Sequence, residues 1–183
     1  MNFQRVQAGL HVNAAVDELA ANPGLWELFT LRQTAPGTPH QDTETIVLRG
    51  PKSITNESVF NDLEADWLPY VGALGAVSGV VIDALEALGP IDGLGRVMVV
   101  KLKPGGKITP HVDEGAYAAH YDRFHLVLDS QPGNWFICGA ESIVMHTGEL
   151  WQFNHHLQHS AANLSQSDRI HIIIDARLKR TKE

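Results

Sequence analysis

The sequence has a single cysteine, Cys138, among 183 residues. A chain with one thiol can form neither an internal disulfide nor a cysteine-rich zinc site. The sequence also lacks basic stripes. Its formal net charge is −7, and residues 1–90 hold 4 Lys or Arg against 11 Asp or Glu. Binding to a phosphate backbone requires clustered positive charge, so we do not expect a nucleic-acid partner.

Long hydrophobic runs are missing as well. The uncharged segment 68–82 has 15 residues and contains Pro69 and three glycines, which makes it too short to span a bilayer. The first residues lack the charged start and apolar core of a signal peptide. We therefore expect a cytoplasmic protein without a membrane partner.

The pattern of apolar residues divides the chain into two regions. Residues 1–90 are mostly helical in pattern, with one predicted strand, whereas residues 91–183 form short β-rich segments between turn residues. The predicted strands of the second region are 96–102, 123–128, 135–138, 142–146, 149–153 and 169–175. Many short strands at close spacing indicate an antiparallel sandwich or a jelly roll. We predict one α+β domain, 1–183, with a helical support region and a mainly β core.

Histidine is what the sequence has in excess, with ten residues, eight of them between positions 111 and 171. His111 and Asp113 are two residues apart, so in an extended chain both side chains point to one face. With His159 as a third ligand, they would form the two-histidine, one-carboxylate triad of non-haem Fe(II) oxygenases. Arg169 follows ten residues after His159 and could hold a dicarboxylate co-substrate by bidentate hydrogen bonds.

Alternation along two predicted strands gives a second indication of a site. In the last strand, Arg169 and His171 share one face, while the alternate positions are all isoleucine. In an earlier strand, Arg123 and His125 share one face, while the alternate positions are apolar. We predict that the polar faces line a cavity inside the β core and that the apolar faces pack under helices.

Five segments also occur in a fixed order. They are His111-Val112-Asp113, Arg123-Phe124-His125-Leu126, Gly148-Glu149-Leu150-Trp151, His159-Ser160-Ala161-Ala162-Asn163 and Asp168-Arg169-Ile170-His171-Ile172-Ile173-Ile174-Asp175. Together, over residues 96–177, they resemble the aspartyl/asparaginyl β-hydroxylase-like family of Fe(II)/2-oxoglutarate-dependent dioxygenases. The resemblance implies a double-stranded β-helix, or jelly-roll, core.

The resemblance also implies roles for individual residues. The implied Fe(II) ligands are His111, Asp113 and His159. It implies that Arg169 pairs with the distal carboxylate of 2-oxoglutarate. It further implies that Arg123 and His125 lie near the co-substrate and help to bind it.

The implied reaction is hydroxylation of an amino-acid side chain, free or within a peptide or protein and of the Asp, Asn or Pro type. It consumes O2 and 2-oxoglutarate and releases succinate and CO2. One departure from the family stands out, because its best-known animal members have a small residue where this chain has Asp113. Their substrate is therefore no guide here, and the carboxylate disfavours halogenation, which needs that position for halide.

Two other functions stay open at this point. A cupin-like metal-binding or isomerase domain would share the jelly roll and the metal without oxygen chemistry, and an inactive scaffold would share the fold alone. Two segments outside the ligand set also have open roles. His40, beside a turn that leads into a predicted strand, could line a substrate pocket or lie in a solvated loop, and we favour the loop. Glu114, Tyr117 and His120 are expected to lie in a loop at the mouth of the site that selects the substrate.

Overall fold

A computed structural model of the protein describes residues 1–51 and 55–179. Its strands are β1 (Phe3–Gln7), β2 (Thr43–Gly50), β3 (Asp66–Trp67), β4 (Ile91–Leu102), β5 (Lys107–His111), β6 (Asp122–Asp129), β7 (Asn134–Cys138), β8 (Glu141–Val144), β9 (Leu150–Phe153), β10 (His159–Asn163) and β11 (Arg169–Leu178). Its helices are α1 (Asn13–Ala21), α2 (Leu31–Thr34), α3 (Asn56–Asn61), α4 (Gly75–Leu88) and α5 (Gly115–His120), with short 3-10 helices at Pro23–Glu27 and Pro69–Ala73. Among the described residues, no helix has the length and apolar character needed to cross a membrane.

The strands form two antiparallel sheets. The larger sheet has seven strands in the order β1-β9-β6-β11-β4-β2-β3, and the smaller sheet has four in the order β5-β10-β7-β8. Strands that are neighbours in space are often distant in sequence, as when β11 pairs with both β4 and β6. Two sheets joined by such crossovers are typical of a jelly roll. The predicted α+β class with a mainly β core is confirmed.

One hydrophobic cluster lies on the outer face of the larger sheet, beneath the helices. Phe124 and Leu126 of β6 and Ile172 and Ile174 of β11 are fully buried in it, and α1 and α4 cover them with residues such as Val77. Because alternate residues of a strand point to opposite faces, the intervening residues of β6 and β11 point between the two sheets. The alternation predicted for both strands is therefore confirmed.

A second cluster fills the space between the sheets. Phe3 and Val127 from the larger sheet meet Phe136 and Cys138 from the smaller one. The rings of Phe3 and Phe136 pack edge to face with their centroids 5.8 Å apart, a favourable aromatic geometry. These contacts pack the two sheets against each other.

The N-terminal region differs in part from the helical layer expected for residues 1–90. It supplies the covering helices α1 and α4 and three of the seven strands of the larger sheet: β2, which is the one strand predicted in this region, and β1 and β3, which were not predicted. Before α4, Trp67 lies in β3 and Pro69–Ala73 forms a 3-10 helix. The predicted loop with Glu114, Tyr117 and His120 is largely the short helix α5.

The fold makes a direct prediction about stability. Ile172→Ala removes a fully buried side chain under the helices and should lower the free energy of unfolding by about 3 kcal/mol. Ile82→Ala on α4 is the matched control, because Ile82 is 56% exposed, and it should change stability by less than about 0.5 kcal/mol. Urea unfolding followed by circular dichroism measures both variants, and equal effects would contradict this assignment of the core.

Candidate functional site

The three residues predicted as metal ligands meet at one edge of the smaller sheet. His111 is the last residue of β5 and His159 the first of β10, and the antiparallel register places them directly opposite each other. Asp113 lies in the loop two residues past β5, where its backbone N–H donates to the carbonyl of His155 at 3.3 Å. The predicted group His111, Asp113 and His159 is thus brought together, with its ligand atoms all within 4.8 Å of one another.

The carboxylate of Asp113 lies between the two imidazoles. Its Oδ1 is 3.8 Å from Nε2 of His111, and its Oδ2 is 3.8 Å from Nε2 of His159. The two ring centroids are 4.3 Å apart. Two imidazole nitrogens and one carboxylate oxygen, converging on one point, suit a divalent transition metal.

Both imidazoles are held in the tautomer that binds a metal through Nε2. Nδ1 of His111 is 2.8 Å from the carbonyl oxygen of Thr109, and Nδ1 of His159 is 2.9 Å from that of Leu157. A carbonyl only accepts, so each Nδ1 carries the proton and each Nε2 keeps a free lone pair. Burial lowers the pKa of both histidines, that of His159 to about 4, which leaves them neutral at neutral pH.

Arg123 joins the third ligand to the larger sheet. Its Nη1 donates to Oδ2 of Asp113 at 2.6 Å, while Nε and Nη2 donate to the two oxygens of Asp175 at 2.8 and 3.1 Å. Asp175 is buried and also accepts from the Tyr117 hydroxyl at 3.0 Å. Burial alone would raise the pKa of Asp113, but the positive charge of Arg123, together with the neighbouring imidazoles of His159 and His111, outweighs it and lowers that pKa. Arg123 therefore orients Asp113 and helps to keep it ionised.

Arg169 lies deeper, between the sheets, with both predicted histidine neighbours. Its Nη2 donates to Nδ1 of His171 at 3.1 Å, and that nitrogen lies 3.3 Å from Nδ1 of His125. The guanidinium also lies over the ring of Phe136 at 5.6 Å. Burial lowers the pKa of Arg169 to about 9, and no carboxylate of the described chain pairs with it. A buried cation in this state is a natural partner for an anionic ligand.

A cavity of about 570 Å³ opens beside the metal ligands. Apolar residues, including Phe29, Val47 and Met98, form much of its wall, and Glu114 and Tyr117 also line it. A much smaller space of about 20 Å³ continues between the sheets. The group formed by His111, Asp113 and His159 therefore has one side toward an open cavity and another toward the buried interior.

The prediction that His40 lies in a solvated loop is wrong. His40 is partly buried and lines the cavity, with its ring centroid 4.9 Å from that of His111. His120, by contrast, contacts the partly buried Arg177, with 2.6 Å between Nη1 of Arg177 and Nε2 of His120, and it does not line the cavity. His155 is buried behind the ligands, where its ring lies 3.0 Å from the Ala118 carbonyl oxygen.

Sequence reasoning missed two residues of the site. Asp175 carried a usable signal, because it shares a strand face with Arg169 and His171 and pairs with Arg123 across β6 and β11. Arg32, which borders both the cavity and the smaller space, carried no comparable signal. It lies in the N-terminal region, outside every recognised segment.

Similar solved structures define the class of fold. A viral collagen prolyl hydroxylase from Paramecium bursaria Chlorella virus-1 superposes with a TM-score of 0.57 at 13% identity, over 98% of this chain and 97% of that one. A Pseudomonas putida prolyl-4-hydroxylase gives a TM-score of 0.53 at 14% identity, over 97% and 93% of the two chains. An oxidoreductase of the 2OG-Fe(II) oxygenase family from Burkholderia pseudomallei gives 0.54 at 10% identity, over 92% of each chain. The protein has the double-stranded β-helix fold of these structures.

Sequence comparison then gives the family. Residues 80–178 match the model of the aspartyl/asparaginyl beta-hydroxylase family, and the chain belongs to that family. A curated relative, L-proline cis-4-hydroxylase from Rhizobium meliloti (strain 1021), is 34% identical over 77 residues. That match spans 42% of this chain and 28% of the relative. The resemblance inferred from the five ordered segments is confirmed.

The contact between Arg123 and Asp113 predicts an effect on metal affinity. Arg123→Lys keeps the charge but cannot bridge two carboxylates in the same fork geometry, so Mn(II) binding should weaken about 10- to 100-fold. Titration calorimetry measures the affinity. The control is Arg5→Lys. Arg5 lies away from the site, and its Nη1 is 2.8 Å from Oε1 of Glu149. Unchanged Mn(II) affinity in a folded Arg123→Lys protein would contradict the orienting role.

Proposed function

We propose that this protein is an Fe(II)- and 2-oxoglutarate-dependent dioxygenase that hydroxylates an amino-acid side chain and forms succinate and CO2. The observation that carries the proposal is the convergence of His111, Asp113 and His159 on one point beside a large cavity. Family membership supports the same activity. For the substrate, L-proline is the first candidate, because the curated relative is named for it.

The donor set fits ferrous iron. Two neutral imidazoles and one carboxylate leave three of six coordination positions for a bidentate co-substrate and dioxygen. Iron held by these residues would supply the activation of dioxygen, which is coupled to the oxidative decarboxylation of 2-oxoglutarate. The chain itself holds the ligands in place, through the Nδ1 hydrogen bonds of His111 and His159 and through the Arg123 contact to Asp113.

Arg169 is the proposed partner for the distal carboxylate of 2-oxoglutarate. It is 3% exposed, has no carboxylate partner among the described residues, and lies between the sheets behind the metal ligands. His171 fixes the guanidinium by accepting its Nη2–H, and His125 lines the small space next to His159. The buried rings of Phe136 and Phe153 make this part of the site apolar, which strengthens the charge interaction.

Anaerobic binding gives the first test. Fe(II) together with 2-oxoglutarate should produce a weak visible metal-to-ligand absorption band in the unmodified protein. Asp113→Ala should abolish the band because it removes one of three ligands, and Arg5→Ala should keep it. Turnover without substrate should also release succinate from 2-oxoglutarate, whereas a cupin-like domain without oxygen chemistry would bind metal and release none. A protein that binds neither Fe(II) nor 2-oxoglutarate would rule the function out.

The role of Arg169 gives a second test. Arg169→Met removes the proposed carboxylate partner, so the KM for 2-oxoglutarate should rise about 10- to 100-fold, as expected for a lost charge-assisted hydrogen bond. The same change replaces a buried, unpaired cation by an apolar side chain, so the stability of the protein without 2-oxoglutarate should not fall. Steady-state kinetics and urea unfolding measure the two effects. Lower stability with an unchanged KM would assign Arg169 a structural role instead.

A further inference from the structure

Arg32 is a second guanidinium at the site without a carboxylate partner in the described part of the chain. It lies on α2 and lines both the cavity and the smaller space beside His159. Its Nη2 contacts Nε2 of His40 at 3.3 Å, while its Nη1 is buried without a hydrogen-bond partner. Burial and then the nearby charge of Arg123 lower the pKa of Arg32 to about 10, so it stays cationic at neutral pH.

The contact with Arg32 also fixes the protonation of His40. An arginine guanidinium only donates, so Nε2 of His40 accepts and its proton lies on Nδ1. That Nδ1 is likewise buried without a hydrogen-bond partner. The pair therefore presents two buried donors, Nη1 of Arg32 and Nδ1–H of His40, with no acceptor in the described chain. Buried donors without acceptors are uncommon in folded proteins, so these two are available to an acceptor that enters from outside the chain.

Backbone contacts hold the two donors in fixed relative positions. The Thr38 hydroxyl donates to the carbonyl of Arg32 at 2.6 Å and accepts from the backbone N–H of His40 at 3.2 Å. The backbone N–H of Thr109 donates to the Pro39 carbonyl at 3.1 Å, which joins this segment to β5. The donors are thus placed relative to the strand that ends in His111, before any ligand binds.

We propose that Arg32 and His40 bind the α-carboxylate of the amino-acid substrate. This inference rests on the proposed function, in which Arg169 takes the carboxylate of the co-substrate. Arg32 lines the large cavity and Arg169 does not, so the two cations serve two different anions. With its carboxylate held by Arg32 and His40, the substrate extends its side chain along the apolar wall beside the metal ligands.

The chemistry of the ligand can be tested with matched probes. Succinate formation in the Fe(II)-loaded protein is measured with L-proline, with each other common L-amino acid, and with the amide of every acid that stimulates turnover. The acid should be favoured over its amide by about 10- to 100-fold in kcat/KM, because only the acid offers a charged acceptor to both donors. Equal turnover of acid and amide would overturn the inference. The inference would also be overturned if the protein forms succinate without substrate and no free amino acid increases the rate.

Variants separate substrate binding from co-substrate binding. Arg32→Met should raise the KM for the stimulating amino acid about 10- to 100-fold and the KM for 2-oxoglutarate less than about threefold, and Arg32→Lys should recover part of the loss. His40→Asn keeps a donor near the Nδ1 position, whereas His40→Gln places its amide near Nε2. His40→Asn should therefore raise the KM for the amino acid less than His40→Gln does. Arg5→Met serves as the arginine control away from the cavity.

Two results would contradict this assignment. A rise in the KM for 2-oxoglutarate alone in Arg32→Met would assign Arg32 to the co-substrate. An unchanged KM for the amino acid in a folded Arg32→Met protein would remove the carboxylate site altogether. If the unmodified protein shows neither the charge-transfer band nor any succinate, the proposed function fails, and this inference fails with it.

Discussion

The bridge that Arg123 makes between Asp113 and Asp175 is the interaction on which the site depends. Asp113 lies in a loop, and loops hold side chains less rigidly than strands do. Arg123 ties this loop residue to β6 and, through Asp175, to β11 in the middle of the larger sheet. The two histidines come from the smaller sheet, so this one guanidinium joins the ligand set across the two sheets.

The charges of the site fall into two kinds. Arg123 pairs with two carboxylates of the chain itself, those of Asp113 and Asp175, and its charge orients Asp113. Arg169 and Arg32 have no carboxylate among the described residues, although burial lowers the pKa of both. Keeping an unpaired cation away from water is costly to stability, so each is best understood as a position that an anionic ligand completes. In the proposed function, a dicarboxylate co-substrate and an amino acid would together supply the required charges.

The sequence predicted those parts of the site whose signals are local. His111 and Asp113 are two residues apart, and β11 alternates between polar residues and isoleucine, so both patterns are readable without the fold. The strands that the pattern did not predict are β1, β3, β5 and β10, and two of them show the physical reason. β10 is made of small and polar residues with weak strand preference, and β1 does not alternate regularly. Each is specified by its neighbours in the sheet, as β10 is by β5 and β7.

His40 and Arg32 show why the substrate side of the cavity is harder to predict than the metal side. The metal ligands must satisfy one fixed coordination chemistry, so they recur in short, recognisable segments within residues 80–178 that match the family. The cavity wall is completed by α2 and the turn before β2, which lie outside that match. Their roles arise only when the Pro39 carbonyl accepts from Thr109 and brings His40 beside His111. Under the proposed assignment, substrate choice in this protein therefore depends on long-range packing of the N-terminal region, while the metal chemistry depends on the β core.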